Sequence, residues 1–329
     1  MIFTLKAPTQ SLKSFNRSVS TQSHLISQPF NAENTRMIRE SEKKFPKPNF
    51  ISFDMFGTIY KPKIPVPEQY HQITSLEFGI LKTAESIRHD FAKTYEELQD
   101  EFPNYGKGVA HFENSDAWWR ELVIRVYGLL RKDPKTKEIC DRLVNHFTSN
   151  EAYDVYDDVI PTLKGLREKG VTMVTSSNSD TRAIKILESL KLKDYFTSVN
   201  LSYDYEVGKP KKSFFDAIAV NEYRVQIDNR YRGPTPPGDY LSGCWHVGDS
   251  HAKDFVGAIR AGWNGILVDR DGTSELSTGK KRQNKSTYDA CYMSQGLGKK
   301  EEDSDGPLIL ANNRVVLSRL TQLLQLYNW

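Results

Sequence analysis

The 329-residue sequence is poor in cysteine, with only Cys140, Cys244 and Cys291, and no two of these form a C-x-x-C pair. This scarcity argues against a disulfide scaffold and against a cysteine-based zinc site. No uninterrupted apolar run approaches the ~20 residues that a membrane-spanning helix requires. The formal net charge of +3 is too small to indicate a nucleic-acid partner. We therefore expect a protein that binds neither nucleic acid nor a membrane.

Acidic residues are absent from positions 1–32, where Lys6, Lys13 and Arg17 stand among many serines and threonines. This acid-poor, hydroxyl-rich and weakly amphipathic composition is typical of a mitochondrial transit peptide, and it lacks the apolar centre of a secretory signal. We therefore predict that residues 1–45 are a leader outside the fold, which directs the protein to the mitochondrial matrix. A solvated tail without a targeting role is the alternative.

The rest of the chain alternates strand-like and helix-like segments. Hydrophobic residues make up 38% of the sequence, which is enough to bury a core. The predicted strands are residues 49–53, 171–175, 198–201, 243–247 and 265–268. Helical segments lie between the later ones, so the pattern predicts an α/β fold with a doubly wound, Rossmann-like parallel sheet. In such sheets the functional side chains gather at the carboxyl ends of the strands.

Residues 63–149 differ from the rest because their apolar residues recur at helical spacing. We predict that this block is an all-helical domain inserted into a core made of residues 46–62 and 150–329. Within the core, the polar residues 271–306 are expected to form a flexible excursion. The leucine spacing over residues 315–326 predicts a terminal helix that packs on the core.

Polar residues that can carry chemistry follow several of these strands. They are Asp54 and Thr58 after the first strand, Ser177 and Asn178 after the second, Lys209 in a Gly-Lys-Pro segment, and Asp249 with Asp254 after a later strand. Each one alone is commonly a turn or a helix cap. Brought together, a carboxylate can attack an electrophile, hydroxyls and an ammonium can hold an anionic group, and two carboxylates can bind Mg²⁺.

In order and spacing these residues resemble the motifs of the haloacid dehalogenase-like (HAD) hydrolase superfamily, over about residues 47–270. Within this superfamily, the sequence resembles the uncharacterised mitochondrial HAD-like hydrolases of yeasts, in the group of haloacid dehalogenase-like hydrolase domain-containing protein 3. The resemblance implies a HAD-like core with a helical cap and a small phosphorylated substrate. It implies that Asp54 and Lys209 are catalytic. The substrate would be bound by Thr58, Ser177, Asn178 and Lys209. Mg²⁺ would be held by Asp54, the Phe56 carbonyl and Asp249, with Asp254 in a supporting role.

Phe56 departs from the family pattern, because the family's phosphatases carry a second aspartate at this position. That aspartate protonates the leaving oxygen and later activates water, which is general acid–base work of about 10²–10⁴-fold. An aromatic ring cannot transfer a proton, so we predict a phosphatase of low or restricted activity.

Two alternatives remain open. One is a non-catalytic protein that binds a ligand or partner on a HAD scaffold. The other is a 2-haloacid dehalogenase, since those enzymes have an aromatic residue at the Phe56 position. Their pattern lacks an acid at the position of Asp249, however, and it requires an early cap arginine that residues 61–80 do not contain. The oligomeric state is left open.

Two further features are interpreted as structural. The segment 269–273 reads Asp-Arg-Asp-Gly-Thr and matches the family's Asp-x-Asp-x-Thr signature more literally than residues 54–58 do. Too little chain follows it to supply the other motifs in order, so we interpret it as a turn after a strand. His246 lies inside a predicted strand and is interpreted as a core histidine whose hydrogen bonds are satisfied.

Overall fold

The computed structural model describes residues 36–37, 44–278 and 306–329. Most of the predicted leader, and residues 279–305 of the predicted excursion, lie outside the described residues. The strands are β1 (Arg36–Met37), β2 (Phe50–Phe53), β3 (Tyr60–Pro62), β4 (Tyr153–Val155), β5 (Met173–Ser177), β6 (Ser198–Leu201), β7 (Cys244–Gly248), β8 (Asn264–Val268), β9 (Leu308–Ala311) and β10 (Arg314–Leu317).

A single large sheet, which has eight strands in the described ranges, forms the centre of the molecule in the order β1-β9-β10-β8-β7-β2-β5-β6. The six strands from β10 to β6 are parallel to their neighbours. At the other edge, β9 and β1 continue the sheet in antiparallel pairing. This arrangement confirms the predicted α/β class with a Rossmann-like parallel sheet.

Helices cover the sheet and also form the block between β3 and β4. The α-helices are α1 (Val66–Phe78), α2 (Ala84–Glu101), α3 (Ser115–Tyr127), α4 (Pro134–His146), α5 (Val159–Glu168), α6 (Arg182–Ser189), α7 (Ser202–Tyr205), α8 (Lys212–Gln226), α9 (Gly238–Leu241), α10 (Gly257–Ala261), α11 (Glu275–Thr278) and α12 (Leu323–Leu326). A π-helical turn, His251–Val256, precedes α10. Among the described helices, none is both long and apolar enough to cross a membrane.

The helices α1 to α4 form a block joined to the core by a two-stranded ribbon, in which β3 pairs antiparallel with β4. We call this block the cap. Two of its helices end where a glycine takes the left-handed backbone conformation, Gly79 (φ 69°) after α1 and Gly128 (φ 63°) after α3. This conformation costs glycine little because it has no Cβ, and it releases the chain from the helix.

Burial explains why β2 lies in the middle of the sheet. All four of its residues are buried, as expected for a parallel strand that is covered on both faces. Its neighbours on the two sides are β5 and β7, in the register Ser52↔Val174 and Ser52↔His246. The residue that follows β2 is therefore flanked by the carboxyl ends of two other strands.

The terminal helix predicted over residues 315–326 is only partly correct. The first part of this stretch is strand β10, and Val315 pairs with Ile266 of β8. A 3₁₀ turn, Leu320–Gln322, and the short helix α12 follow it. The run of apolar residues before the turn is buried against the sheet, where the β-branched valines favour a strand although the leucine spacing suggests a helix.

The predicted leader boundary at residue 45 is also corrected by the structure. Arg36–Met37 forms strand β1, which pairs with β9. The main-chain N–H of Phe45 donates to the Leu326 carbonyl at 2.8 Å, and its ring lies 5.0 Å from that of Trp245. Parts of residues 36–45 therefore belong to the fold. Composition could not reveal this, because the partners of these residues lie near the other end of the chain.

Candidate active site

Three strand ends meet at one edge of the sheet and bring the predicted site residues together. Asp54 directly follows β2, Ser177 is the last residue of β5, and Asp249 directly follows β7. Since β2 lies between β5 and β7, these residues are neighbours although they are far apart in sequence. The main-chain N–H of Asp54 donates to the Val247 carbonyl at 2.8 Å, which fixes the height of the carboxylate above the sheet.

Lys209 is the centre of the site. Its Nζ donates to Asp54 Oδ1 at 2.5 Å and to the Ser176 carbonyl at 2.8 Å, and it lies 2.6 Å from Asp254 Oδ1. The Lys209 side chain is only 2% exposed. A buried ammonium needs this many oxygen partners, because each lost partner would leave one of its three N–H groups buried without an acceptor.

Asp254 is the second carboxylate that binds the ammonium of Lys209. Its Oδ1 contacts both Lys209 Nζ and His246 Nε2, the latter at 2.9 Å, and its Oδ2 accepts the main-chain N–H of Ser250 at 2.9 Å. Both carboxylate oxygens are thus engaged by protein donors, which fits the predicted supporting role. The contact depends on Gly248, where a Cβ would come within 2.3 Å of the Asp254 side chain.

A buried hydrogen-bond network extends the site into the sheet. His246 Nδ1 lies 3.2 Å from Ser52 Oγ and 3.3 Å from Ser176 Oγ, and the two hydroxyl oxygens are 2.7 Å apart. All three residues are fully buried. This confirms His246 as a satisfied core histidine and adds its bond to Asp254, which the sequence analysis missed. A histidine eight residues before an acid at this strand end was the signal available.

Thr58 joins two of the loops. Its Oγ1 donates to Asp249 Oδ1 at 3.2 Å and accepts the Asp249 main-chain N–H at 3.0 Å. Thr58, predicted to bind substrate, and Asp249, predicted to bind metal, are therefore bonded to each other. The hydroxyl fixes the Asp249 carboxylate above the end of β7, next to the end of β2.

Asn178 holds the main chain of Lys209 from both sides. Its Oδ1 accepts the Lys209 N–H at 2.7 Å, and its Nδ2 donates to the Lys209 carbonyl at 2.8 Å. Gly208 allows this close approach, since a Cβ there would lie 2.4 Å from Asn178 Oδ1. The structure thus uses the Asn178 amide to fix the lysine loop, while Ser177, 6% exposed, ends the neighbouring strand.

The charges of the site act on one another. Burial raises the pKa of Asp54, and the nearby charge of Lys209 only partly offsets this. Burial alone would lower the pKa of Lys209, but Asp254 and Asp54 outweigh it and raise this pKa. Burial opposes ionisation of Asp254 as well, yet Lys209 and His246 lower its pKa well below the usual range. The ammonium form of Lys209 and the ionised form of Asp254 therefore stabilise each other.

Three carboxylates could hold a metal ion. Asp54, Asp249 and Asp254 each offer an oxygen, and these oxygens lie within 4.8 Å of one another. Oxygen ligands of this kind suit the hard cation Mg²⁺, which binds through one or two carboxylates and keeps several waters. Because both oxygens of Asp254 already have protein donors, Asp54 and Asp249 are the pair whose chemistry fits a metal.

Phe56 builds an aromatic wall in place of an acid. Its ring packs edge-on against those of Tyr60 and Tyr153, with centroid separations of 5.9 and 6.3 Å. Two residues after Asp54, the chain thus presents a phenyl ring with no proton to give.

The segment that imitates the family signature braces the site. Asp269 Oδ1 accepts the main-chain N–H groups of Thr273 and Ser274, which confirms a turn. Arg270 Nη2 donates to the carbonyl of Thr58 at 2.9 Å, and Nη1 forms an ion pair with Asp158. The arginine therefore supports the loop that carries Asp54, a contact that the sequence analysis did not anticipate.

The Arg270 brace generates a stability prediction. In Arg270→Gln, the carboxylate of Asp158, whose side chain is fully buried, loses its cation, so the free energy of unfolding should fall by about 3–5 kcal/mol in urea titrations. The double variant Asp158→Asn/Arg270→Gln should recover part of the loss, because no charge is stranded. The adjacent surface pair Asp157–Arg319 is the control, and Arg319→Gln should cost under about 1 kcal/mol. Equal losses in the two single variants would contradict the brace.

The His246 network generates a pH prediction. Burial lowers the pKa of His246, although Asp254 opposes the effect. The unfolded chain then takes up a proton near pH ~6.5 that the folded protein does not, so stability should fall as the pH drops below that value. His246→Gln should reduce this slope between about pH 7 and 5 in urea titrations, by about 1.4 kcal/mol for each pKa unit of difference. Ser52→Ala alters the same network without removing a titrating group and should keep the wild-type slope.

Known proteins are similar in sequence to about two thirds of this chain. The chain is 30% identical over 239 residues to the uncharacterized protein YMR130W of Saccharomyces cerevisiae, covering 68% of this chain and 73% of the relative. It is 26% identical over 221 residues to haloacid dehalogenase-like hydrolase domain-containing protein 3 of Bos taurus, covering 66% and 80%. It is 30% identical over 225 residues to glyceraldehyde 3-phosphate phosphatase of Methanopyrus kandleri, covering 67% and 83%.

The family comparison covers the same region. A family model described as haloacid dehalogenase-like hydrolase matches residues 49–262. This range begins before Asp54 and ends after Asp254, so it contains every residue predicted for the site, whereas the bracing Arg270 lies beyond it. The resemblance drawn from the motifs is thereby confirmed, and this chain belongs to the haloacid dehalogenase-like hydrolase family.

Proposed function

We propose that this protein is an Mg²⁺-dependent hydrolase of a small phosphorylated substrate, with Asp54 as its nucleophile. The observation that carries the proposal is the position of Lys209, whose ammonium lies 2.5 Å from Asp54 Oδ1 beside the three convergent carboxylates. An ammonium there can neutralise a phosphoryl oxygen while the carboxylate attacks. The relative named as a glyceraldehyde 3-phosphate phosphatase supports this class of reaction.

The reaction would proceed in two displacements. A carboxylate oxygen of Asp54 attacks phosphorus, the bond from phosphorus to the leaving oxygen breaks, and an aspartyl phosphate forms. Lys209 and the hydroxyl of Ser177 hold the phosphoryl oxygens. The Thr58 hydroxyl, whose proton goes to Asp249, positions that carboxylate instead. A water then attacks phosphorus and loses a proton to the solvent. The bond between phosphorus and the Asp54 oxygen breaks, which releases inorganic phosphate and restores the carboxylate. Bound by Asp54, Asp249 and the Phe56 carbonyl, Mg²⁺ would offset the negative charge that otherwise repels the nucleophile.

The leaving oxygen receives no proton from the position of Phe56. It must therefore depart as an anion, which is slow for an ordinary alkoxide and fast for a stabilised phenolate. The expected substrates are therefore phosphomonoesters with good leaving groups. We assign Asn178 to holding the lysine loop instead of the substrate, because its amide already bonds the Lys209 main chain on both sides.

The activity prediction uses Phe56 and Asp54 variants. With Mg²⁺, the wild type should release phosphate from 4-nitrophenyl phosphate and much less from phenyl phosphate. Asp54→Asn should abolish both reactions. Phe56→Asp should raise turnover of phenyl phosphate by up to about 10²–10⁴-fold, because it supplies the missing acid. Phe56→Asn is the matched control, since it has the same size as the aspartate and no proton to donate, and it should not raise turnover.

The outcomes separate the alternatives. If Asp54→Asn equals wild type on every substrate, the proposed mechanism is wrong. Thermal stabilisation by orthovanadate without turnover of any phosphate ester would favour a non-catalytic binding protein, for which the Phe56 ring is the supporting observation. Halide release from a 2-haloacid without metal would favour the dehalogenase. A dehalogenase would also need a cap arginine in its site. The first arginine of the cap, Arg88, donates to Glu68 at 2.8 Å instead.

We also propose that the protein is directed to mitochondria, because residues 1–32 contain three cations and no acid. A fluorescent protein fused behind residues 1–45 should then accumulate in mitochondria. Replacement of Lys6, Lys13 and Arg17 by glutamine should abolish this accumulation, since transit peptides depend on positive charge. A fusion that remains in the cytosol would contradict the proposal.

A further inference from the structure

A second cation lies beside the candidate active site, at the first residue of α6, which follows β5. Arg182 Nε donates to Asp180 Oδ1 at 3.1 Å, and Nη2 donates to Asp180 Oδ2 at 3.2 Å. Asp180 also accepts the indole N–H of Trp119 at 2.8 Å. This ion pair begins three residues after Ser177, so the same short segment carries a phosphate-binding candidate and a fixed guanidinium.

The guanidinium is held rigidly against the cap. Its central carbon lies 3.7 Å from the ring centroid of Trp119, which is a cation–π contact. The Arg182 side chain is 12% exposed, whereas that of Asp180 is 1% exposed. Among the described residues no acceptor bonds to Nη1 of this arginine, so one edge of the guanidinium serves Asp180 and the other keeps its donors.

The surroundings of Arg182 connect it to the nucleophile. Burial raises the pKa of Tyr60, and the charges of Asp54 and Arg182 both act on its hydroxyl. Burial likewise raises the pKa of Tyr153, on which Arg182 also acts. The ring of Tyr60 lies 5.2 Å from that of Tyr153 and 5.9 Å from that of Phe56, in the aromatic wall described above. The hydroxyl of Tyr60 is therefore within electrostatic reach of both Asp54 and Arg182.

Structural stability alone does not explain why an ion pair is buried at this position. Burying a guanidinium and a carboxylate costs desolvation, and apolar side chains of similar size stabilise such sites equally well or better. A guanidinium can bind two planar anions at once, because its five N–H groups point along separate edges. Aromatic walls of low polarity strengthen the attraction for an anion that reaches it.

We propose that Arg182 binds a second anionic group of the substrate, such as a carboxylate, while the phosphoryl group lies at Asp54 and Lys209. This inference rests on the proposed function, in that it names the substrate class of the same cleft. The substrate would be a phosphomonoester whose other end carries a carboxylate. Asp180 would hold the guanidinium in place and balance its charge when no ligand is bound.

Binding measured by calorimetry tests the assignment without requiring turnover. The ligands are a short series of ω-carboxyalkyl phosphates and their methyl esters, added with Mg²⁺ to the full chain carrying Asp54→Asn. At least one free acid should bind about 10-fold or more tightly than its ester, since hydrogen bonds between charged groups have this strength. Adding Arg182→Gln should abolish the preference. No preference in the parent protein, or a preference that survives Arg182→Gln, would overturn the proposal.

Two further variants keep the test decisive. Arg182→Gln leaves Asp180 buried without its cation and can fail to fold, so the charge-neutral pair Asp180→Asn/Arg182→Gln should give the same loss of preference. Lys185→Gln is the matched control, because Lys185 also joins α6 to α3, through Asp116 at 3.0 Å, but it is 55% exposed. It should keep the preference, and a loss there would identify a general effect of cap attachment and overturn the assignment.

Turnover by the wild type is measured separately, so the two proposals can fail independently. A carboxylate preference without phosphate release from any ester would overturn the hydrolase and leave Arg182 as an anion-binding residue. Phosphate release with equal affinity for acids and esters would overturn the role of Arg182 and leave the hydrolase.

Discussion

The interaction on which the site depends is the contact of one buried ammonium with two carboxylates. Lys209 Nζ lies 2.5 Å from Asp54 and 2.6 Å from Asp254, and it also donates to the carbonyl of Ser176. Removing the ammonium would leave two buried carboxylates without their cation, at a cost of about 3–5 kcal/mol. The ends of β2, β5 and β7 must therefore stay in register for these charges to be compensated. The strand register that stabilises the core is therefore also the register that gives the site its geometry.

The loops around this centre are fixed by polar side chains. Asn178 bonds the Lys209 main chain on both sides, Thr58 bonds Asp249, and Arg270 supports the carbonyl of Thr58. Each of these bonds joins segments that are distant in sequence. They leave little freedom for the carboxylate of Asp54, which suits a group that must meet an electrophile at one position.

The part of the cleft that would meet the leaving group has a different character. Phe56, Tyr60 and Tyr153 form an aromatic surface, and Trp119 of the cap stacks on Arg182. The groups that suit attack on phosphorus are thus present, whereas the group that would move a proton is absent. The proposed hydrolase would therefore depend on the acidity of the leaving group for its rate, and the proposed role of Arg182 would give the cap a part in substrate selection.

The sequence predicted the parallel sheet and the inserted helices because buried strands and amphipathic helices leave different apolar periods. It failed at residues 315–326, where leucine spacing suggested a helix and pairing of β10 with β8 imposed a strand. It also placed the fold boundary after β1, since a two-residue strand leaves no periodic signal and exists only by pairing with β9. Long-range pairing overrode local preference in both places.

By itself, the sequence determined the family, the order of the motif residues and the loss of the acid at Phe56, because these depend only on residue identity and spacing. Only the tertiary structure decided which partners they meet. It directs both oxygens of Asp254 to protein donors, turns the Asn178 amide toward Lys209, and makes the literal signature around Asp269 a turn whose arginine braces Thr58. The physical reason is that these contacts join residues far apart in the chain, and the register of parallel strands, set by main-chain hydrogen bonds, brings them within bonding distance.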